Sequence, residues 1–330
     1  MKSVTLSDIA KKTGYSVNTI SHALRNMPDI SEKTKAYIHE TAQQMGYIPN
    51  TSAGTLRSGK SKSIAIIIGD ISNPHFSIMI KEIERKLRSF GYTAFILNTD
   101  EDEKIEYAAI VSAISKNVDG IILCPVQKSR KNLLFLKENG TPFVLLGRHF
   151  LNDSSSFVVC DDENGGYAAA NHLLSLGHHH LLFINGPSYI SSAKERLKGI
   201  QRAVSNSSSA VLHCESVSFS RKDDQLLHIL KKHMDCTGII CFSDMIAMQV
   251  CYFLKQLGKT VPQNVSVVGF DNIASKFYFP LMLTSVTSSK TKMSVQCVDA
   301  LLDIISHPSA VHQHILPTKI TLRESTSLNK

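Results

Sequence analysis

These 330 residues lack the sequence features of membrane-spanning and secreted proteins. No apolar run approaches the roughly 18 residues that a membrane-spanning helix needs, and residues 1–8 lack the apolar stretch of a signal peptide. The seven cysteines are scattered and form no C-x-x-C pair, which is typical of reduced thiols in the cytosol. These absences argue against a membrane protein and a secreted binding protein, and they predict a cytoplasmic one.

Signatures of enzymes are missing as well. Residues 69–71 are Gly-Asp-Ile and do not open G-x-G-x-x-G, and G-x-S-x-G does not occur. Residues 54–61 have the spacing G-x-x-x-x-G-K-[ST], but they lie in a small, polar linker segment and do not follow a predicted strand, as a phosphate-binding loop would. The histidines at 178–180 lead into a predicted strand that begins at His180, where successive side chains diverge, and His228, His233 and Cys236 are loosely spaced with no partner pattern. We therefore expect no enzymatic activity, no cofactor and no metal site. A nucleotide-dependent oxidoreductase is the alternative from another class.

Positive charge is concentrated near the N-terminus. Residues 1–62 hold nine lysines and arginines against four acidic residues, and the formal net charge of the whole chain is +8. More than half of the excess positive charge therefore lies in less than a fifth of the chain. A compact basic segment ahead of a nearly neutral body favours a polyanionic partner such as a nucleic acid.

The basic segment has the pattern of three short helices. Thr5 is the predicted N-cap of a first helix over 6–13, and Gly14 then permits a tight turn. Ser16 is the predicted cap of a second helix, whose apolar residues recur at helical spacing. A third helix follows and ends at Gly46. This arrangement predicts a helix-turn-helix unit, which places its second helix in the major groove of DNA.

The same segment contains a set of spaced positions that match one family. These are Val4-Thr5-Leu6-Ser7-Asp8-Ile9-Ala10, Gly14-Tyr15-Ser16-Val17, Thr19-Ile20-Ser21, Leu24 and Gly46-Tyr47-Ile48-Pro49-Asn50. Together they resemble the head of the lactose/galactose repressor (LacI/GalR) family of transcriptional regulators, and the resemblance continues over essentially the whole chain. It implies a helix-turn-helix head over 1–47, a hinge over 48–62 and an effector-binding, dimerising core over 63–330.

The exposed face of the second helix is the predicted base-reading surface. Val17, Asn18 and His22 lead this face, because asparagine can hydrogen-bond adenine bidentately and histidine can donate to guanine. Nearby hydroxyl groups are candidates for phosphate contacts, which position a protein on DNA without specifying sequence. The candidates are Thr5, Ser16, Ser21, Ser31, Thr34 and Tyr47. The alternative for each hydroxyl is a helix cap or a place in the core.

The hinge segment is small and polar, as in a linker. The resemblance implies that it folds into a helix on operator DNA and inserts Leu56 into the minor groove, with Asn50 and Ala53 also matching the family. Wedges of this kind bend DNA. Gly54 departs from the family pattern, and glycine costs up to about 1 kcal/mol relative to alanine in a helix. We therefore expect a hinge that orders less readily and weaker DNA binding.

Beyond the hinge, short apolar runs alternate with longer amphipathic segments, which is the pattern of parallel α/β sheets. Two such series, divided near Asp161, predict two doubly wound lobes with helices between the strands. Strands are predicted over Ile64–Ile68, Ala94–Leu97, Gly120–Leu123, Phe143–Leu146, Phe157–Cys160, His180–Ile184, Gly238–Phe242 and Val265–Phe270.

Charged residues repeatedly follow these strands, at the end of the sheet where ligands of parallel sheets bind. They are Asp70, Arg148, Asp161, Asp244 and Asp271. The alternative for each is a helix cap or a loop residue, and capping is favoured for Asp244, which opens a predicted helix.

The resemblance assigns an effector site to the cleft between the lobes. It implies that Asp271 is the effector-binding acid at the end of its strand and that Arg196 is an effector-contacting arginine. It also places Asp70 and Phe76 in the cleft, and with them Asp161 and Phe219. Carboxylates, an arginine and an aromatic ring suit a polyhydroxylated ligand, because they supply paired hydrogen bonds and a flat apolar face.

The resemblance further implies the assembly. The first lobe would comprise about 63–161 and 290–320 and the second about 162–289, so that the chain crosses between the lobes about three times. As in periplasmic sugar-binding proteins, the lobes would close on a ligand by a hinge motion. A homodimer formed through the body would pair two heads on double-stranded DNA with a near-palindromic operator. The short tail has no heptads and predicts no tetramer.

The leading hypothesis is thus a DNA-binding regulator, a repressor released from its operator by a small sugar or glycoside. Two alternatives share the architecture. One responds to a purine or nucleoside co-repressor, although Ile190 stands where purine-responsive members of the family have an arginine. The other responds to a protein partner. The sequence does not separate them, because small differences in the cleft decide the ligand.

Overall fold

The structure is a computed structural model that describes residues 4–48, 60–218 and 223–329. The chain divides into two compact units, Met1–Ser61 and Lys62–Lys330. Several residues named above lie outside the described residues, namely Asn50, Ala53, Gly54, Leu56 and Phe219.

The first unit is the predicted three-helix head. Helix α1 spans Leu6–Thr13, α2 spans Val17–Leu24 and α3 spans Glu32–Gln44. Gly14 ends α1 in the left-handed conformation, at a φ of +78°, which only glycine adopts freely. The head encloses a small core of Ile9, Ile20, Ala23, Ile38 and Ala42.

The body contains two six-stranded sheets. The first consists of β1 (Ser63–Ile68), β2 (Thr93–Asn98), β3 (Gly120–Leu123), β4 (Phe143–Leu146), β5 (Phe157–Cys160) and β11 (Gln313–Leu316), in the order β11-β5-β4-β3-β1-β2. All of its neighbouring strands are parallel. Helices α4 (Pro74–Ser89), α5 (Glu103–Ser115), α6 (Lys131–Asn139) and α11 (Lys290–Ser306) cover it.

The second sheet repeats the arrangement with one exception. It consists of β6 (His180–Asn185), β7 (Val211–Ser216), β8 (Gly238–Cys241), β9 (Ser266–Phe270), β10 (Thr284–Thr287) and β12 (Lys319–Thr321), in the order β12-β10-β9-β8-β6-β7. The edge strand β12 is antiparallel to β10, and the other pairs are parallel. The covering helices are α7 (Asp162–Ser175), α8 (Ser191–Ser205), α9 (Asp223–Lys232) and α10 (Asp244–Gln256).

The residues of β1 show why each sheet is covered on both faces. Ile64, Ile66 and Ile68 pack against α4 and α11, whereas Ala65 and Ile67 pack against α5 and α6. Alternate side chains of a strand point to opposite faces, so a continuous apolar run requires a helical layer on each side. The two doubly wound lobes predicted from the sequence are therefore confirmed.

The chain passes between the sheets three times. It leaves the first sheet after β5, returns through α11 and leaves again between β11 and β12. Residues 319 and 320, placed in the first lobe by the sequence analysis, belong to β12 and pair with β10 of the second sheet instead. None of the helices within the described ranges is long and apolar enough to cross a membrane.

Helices α7 and α8 approach each other closely through glycine. A Cβ atom at Gly199 on α8 would lie 1.8 Å from the carbonyl oxygen of Glu163, and one at Gly166 on α7 would lie 2.2 Å from that of Arg196. No side chain fits between the two backbones at these points. The close approach therefore fixes where α8 places Arg196.

We predict that Gly199→Ala forces α7 and α8 apart and lowers the free energy of unfolding by about 3 kcal/mol, as is usual for overpacking. Denaturant unfolding measures this change. The control is Gln201→Ala, because Gln201 is an exposed residue of the same helix, and it should remain within about 0.5 kcal/mol of the native value. A Gly199→Ala variant as stable as this control would contradict the packing argument.

Candidate effector site and DNA-binding face

A cavity of about 180 Å³ lies where the carboxyl ends of strands from both sheets face each other. Five residues named in the sequence analysis line it, namely Asp70, Phe76, Arg148, Arg196 and Asp271. Asp70 follows β1, Arg148 follows β4 and Asp271 follows β9, while Phe76 lies in the first turn of α4 and Arg196 in the second turn of α8. The cavity is thus built at the edge where parallel sheets bind ligands.

Asp271 is held in an unusual backbone conformation. It follows β9 directly with a φ of +97°, a region that residues other than glycine rarely adopt. The ammonium group of Lys290, at the start of α11, donates to its main-chain carbonyl. Lys290 is buried, and burial lowers its pKa. A lysine from the first lobe therefore supports the acid at the end of the second sheet.

His75 faces the Asp271 carboxylate across the cavity. Its Nδ1 lies 3.2 Å from Oδ1 of Asp271, yet the angles do not make a hydrogen bond, and no other hydrogen bond to this atom occurs within the described ranges. Burial lowers the pKa of His75 to about 4, against the opposing effect of Asp271. The imidazole is therefore neutral near pH 7, and a polar atom beside the acid is left for a ligand.

Arg196 is fixed on every side. Its Nε donates to Asp162 at 2.8 Å, and its Nη1 donates to the carbonyl of Phe242. The guanidinium also lies over the rings of Phe242 and Phe270, 4.6 and 4.2 Å from their centroids. Burial raises the pKa of Asp162, and the charge of Arg196 opposes this rise. The arginine is thereby held in one position before any ligand arrives.

Arg148 forms the corresponding pair in the first lobe. Its two terminal nitrogens each donate to one oxygen of Glu101 at 2.8 Å, and one of them also donates to the carbonyl of Pro125. Both side chains are about nine-tenths buried. Such a bidentate pair is both strong and fixed in orientation.

The charges of the lining decide which ligands the cavity suits. Three carboxylates line it, from Asp70, Glu101 and Asp271, against two guanidinium groups, and each guanidinium has its own acidic partner. The neutral imidazole of His75 adds no positive charge. A phosphate or carboxylate group would meet the unbalanced negative charge, whereas hydroxyl groups could both donate and accept. The lining therefore favours a neutral, polyhydroxylated molecule.

Two of the candidates are not brought to this cavity. Asp161 caps α7 by accepting from the backbone N–H of Asn164 at 3.1 Å. Asp244 is fully buried and accepts from the Ser285 hydroxyl at 2.6 Å and the backbone N–H of Ile273 at 2.9 Å. Burial raises the pKa of Asp244 to about 7. Ser243, rather than Asp244, is the N-cap of α10, so the expected capping role of Asp244 was misplaced by one residue.

Several lining or supporting residues were missed by the sequence analysis. Glu101 lies three residues beyond β2, so the rule of charged residues after strands could have found it. His75 lies between Asp70 and Phe76, which the sequence analysis named, but it was not itself named. The partnership of Asp162 with Arg196 and the aromatic enclosure of that arginine have no local signal, because they join residues far apart in the chain.

The first unit presents the predicted base-reading face on α2. Val17 and Asn18 are exposed, and Ser21 and His22 are half-buried. The Nδ1 of His22 donates to Asp29 at 2.6 Å, and this hydrogen bond lowers the pKa of Asp29. Only Nε2 of His22 is then available for a base edge. The contact also turns the ring into a fixed orientation.

Four of the candidate phosphate-binding groups have structural roles in the head. The hydroxyl of Thr5 donates to Asp8 and accepts its backbone N–H, which completes a capping box on α1. Ser16 caps α2 by accepting from the backbone N–H of Thr19. Tyr47 packs against the head core. Ser31 likewise caps α3 through Thr34.

Each of the two units of the chain matches a known protein family. Residues 61–326 match the family described as periplasmic binding proteins and the sugar binding domain of the LacI family. Residues 5–50 match the bacterial regulatory proteins of the lacI family. The chain belongs to the lacI family. It is therefore a DNA-binding transcriptional regulator and not an enzyme.

Individual members of the lacI family show the extent of the likeness. A repressor named PurR, from Actinobacillus pleuropneumoniae serotype 3 (strain JL03), is 29% identical over 99% of both chains. The crystal structure of the Lac repressor dimer bound to operator and an anti-inducer superposes with a TM-score of 0.86 at 20% identity, covering 99% of this chain and 100% of that one. A regulator from Enterococcus faecium with bound ribose superposes with a TM-score of 0.73 at 27% identity, covering 81% and 100%.

We predict that stability falls on acidification partly through His75. Its pKa of about 4 in the folded protein lies below the usual 6.5, so the unfolded chain takes up the proton first. The contribution of His75 is present above pH 6.5 and is lost as the pH falls towards 4, by at most about 3 kcal/mol. Unfolding by urea at several pH values should show a shallower acid loss in His75→Gln. The exposed His228→Gln variant should follow the native curve, and an equal slope in His75→Gln would contradict the prediction.

Proposed function

We propose that this lacI-family regulator is a repressor that binds a near-palindromic operator as a homodimer and is released by a small neutral sugar or glycoside. The ligand occupies the cavity between the two sheets, and the bases are read by α2. The observation that carries the effector class is the lining of the cavity, in which two arginines are already neutralised and further carboxylates remain. Release requires that the ligand bind one arrangement of the lobes better than the other.

The contacts of the ligand follow from the geometry. Asp271 accepts hydrogen bonds from hydroxyl groups, and His75 beside it supplies the unsatisfied Nδ1. Arg196 and Arg148 line the cavity in fixed orientations, because Asp162 and Glu101 hold their guanidinium planes. The ring of Phe76 offers an apolar face to C–H groups. A ribose in the Enterococcus faecium regulator supports the same ligand class for this fold.

A purine co-repressor is the second candidate, because a relative covering the whole chain is named PurR. Ile190, which the sequence analysis used against a purine, is completely buried in the core of the second lobe. It therefore supplies no polar contact at that position. A third possibility, a protein partner, would leave the cavity without a small ligand.

The head contacts are part of the proposal. Val17, Asn18 and the Nε2 atom of His22 touch base edges, and Ser21 joins them on the same face of α2. Thr5, Ser16 and Tyr47 touch phosphates in addition to their structural roles. The contribution of Asn50, Ala53 and Leu56 at the hinge, weakened by Gly54, rests on the family resemblance alone. The protein acts in the cytoplasm, on the nucleoid when it is bound to its operator.

Effector binding can be tested by thermal unfolding with sugars, glycosides, sugar phosphates and purines, because a ligand of the folded state raises the Tm. We expect a neutral sugar to raise it. Asp271→Asn should weaken that ligand about 10- to 100-fold through loss of a charged hydrogen bond. The control, Asp161→Asn, lies outside the cavity and should keep the response.

The results separate the candidates. A purine that raises the Tm, with no effect of sugars, would favour a co-repressor. A sugar phosphate as the sole ligand would contradict the charge argument, and a sugar response that survives in Asp271→Asn would remove this residue from the site. No response to any class at millimolar concentration would leave a protein partner as the better account.

DNA recognition can be tested on an operator selected from random duplexes with the native protein. Asn18→Ala and His22→Ala should each weaken specific binding about 10-fold or more, since a base contact is worth 1–3 kcal/mol. Gln43→Ala is the control, because Gln43 is an exposed residue of α3 and is not a proposed contact. Asp29→Asn tests whether the hydrogen bond to His22 matters. Unchanged binding in both α2 variants would overturn the assignment.

A further inference from the structure

The fold gathers three potential metal ligands at the outer edge of the second sheet. His213 lies on the edge strand β7, His233 directly follows α9 and Cys236 lies three residues further on. Their ligand atoms all lie within 4.8 Å of one another. The sequence analysis discounted His233 and Cys236 because their spacing had no partner. The missing partner is His213, which comes from a different strand.

The arrangement of these side chains is more than a chance approach. The rings of His213 and His233 lie 4.7 Å apart between centroids. His233 and Cys236 are buried, and Cys236 packs into the apolar core of the lobe. The cluster is therefore screened from water on its inner side. It lies apart from the effector cavity, whose lining contains none of these three residues.

A fourth residue orients the cluster. Glu215 is two residues after His213 on β7, so both side chains point to the same face of the strand. Its carboxylate lies 2.9 Å from Nε2 of His233 and 2.7 Å from the ammonium group of Lys232. An imidazole that binds a metal usually donates its other N–H to a carboxylate. Glu215 is placed for that role and leaves Nδ1 of His233 for the metal.

The geometry points to a site for Zn²⁺ formed by His213, His233 and Cys236, with Glu215 as the orienting partner of His233. Imidazole nitrogen with thiolate sulfur is the donor set that Zn²⁺ prefers, and water takes the fourth tetrahedral position. Ligand atoms around Zn²⁺ are separated by roughly 3.3–3.7 Å, as follows from metal–ligand bonds of about 2.0–2.3 Å. The three ligand atoms, which lie within 4.8 Å of one another, would therefore approach one another by up to about 1.5 Å on binding. The thiol of Cys236 gives its proton to solvent when the metal–sulfur bond forms.

The bound metal would join two separate parts of the lobe. It would connect the edge strand β7 to the segment that leads from α9 into β8. An edge strand has a neighbour on one side only, so a cross-link at this point stabilises the part of the sheet that is otherwise held least. The metal is thus expected to act on stability and not on catalysis.

Metal binding can be tested on the full-length protein after treatment with a chelator. Co²⁺, used as a spectroscopic probe, should bind at one equivalent and give a thiolate charge-transfer band together with the visible bands of a four-coordinate ion. Zn²⁺ should displace it. A large excess of Zn²⁺ over Kd should raise the Tm by about 5 °C or more, as expected for a ligand of the folded state alone.

Variants identify the ligands. Cys236→Ser should abolish the charge-transfer band, and Glu215→Gln should weaken Zn²⁺ about 10- to 100-fold, as is usual for an orienting partner. His213→Ala should weaken it at least as much. Because Cys236 is buried, loss of binding in its variant does not by itself separate a lost ligand from poor folding. His213→Ala, at a half-buried position, provides the independent test.

Matched controls are available beside the cluster. Cys214→Ser changes the neighbouring exposed cysteine of β7, and His228→Ala changes an exposed histidine of α9. Both should keep the native spectrum and affinity. The proposal is overturned if Co²⁺ gives no thiolate band, or if Zn²⁺ binds equally well to His213→Ala and to the native protein. A band that is lost in Cys214→Ser but kept in Cys236→Ser would also overturn it.

Discussion

Buried charges at the carboxyl ends of the strands must be paired, and much of the effector cavity depends on this constraint. Arg196 and Arg148 are almost completely buried, and each is bound to one acid of its own lobe, Asp162 and Glu101 respectively. Removing one partner of such a pair leaves an uncompensated charge and typically costs 3–5 kcal/mol. The pairs therefore fix the guanidinium groups before a ligand binds. A ligand therefore loses little binding free energy to the ordering of these two side chains.

The same constraint limits what the cavity can recognise. Each lobe neutralises its own arginine with an acidic residue. The net charge of the lining is therefore set by the additional carboxylates, because His75 is neutral. The strained backbone of Asp271 is maintained by Lys290 from the helix that returns to the first lobe. The two lobes thus meet at Asp271, which both Lys290 and His75 of the first lobe approach, although each lobe has its own core. A change in lobe arrangement would disturb His75 and Lys290 together at Asp271.

Much of this organisation is predictable from the sequence. The head, both sheets and the eight apolar strands follow from capping residues and periodicity, which are local signals. The strands that were missed, β7, β10, β11 and β12, are short or polar, and three of them lie at sheet edges where no apolar run is required. In the cavity, residues directly after strands could be named, whereas His75 opposite Asp271 required the fold. The expectation that a charged residue after a strand binds a ligand fails for Asp161 and Asp244. The carboxylate of Asp161 accepts a hydrogen bond from the backbone of the following helix, and that of Asp244 accepts one from a buried serine.

The three passages of the chain between the sheets have a consequence for how such proteins can be recombined. The head is a single continuous segment joined to the body at one point in the sequence, so one cut suffices to transfer it to another regulator. Neither lobe of the body is continuous, because β11 and α11 belong with strands that precede residue 162. A lobe therefore cannot be exchanged as one contiguous segment of the coding sequence. A single recombination event can therefore transfer operator specificity to another regulator. Effector specificity, in contrast, has to evolve largely by substitutions within an intact body.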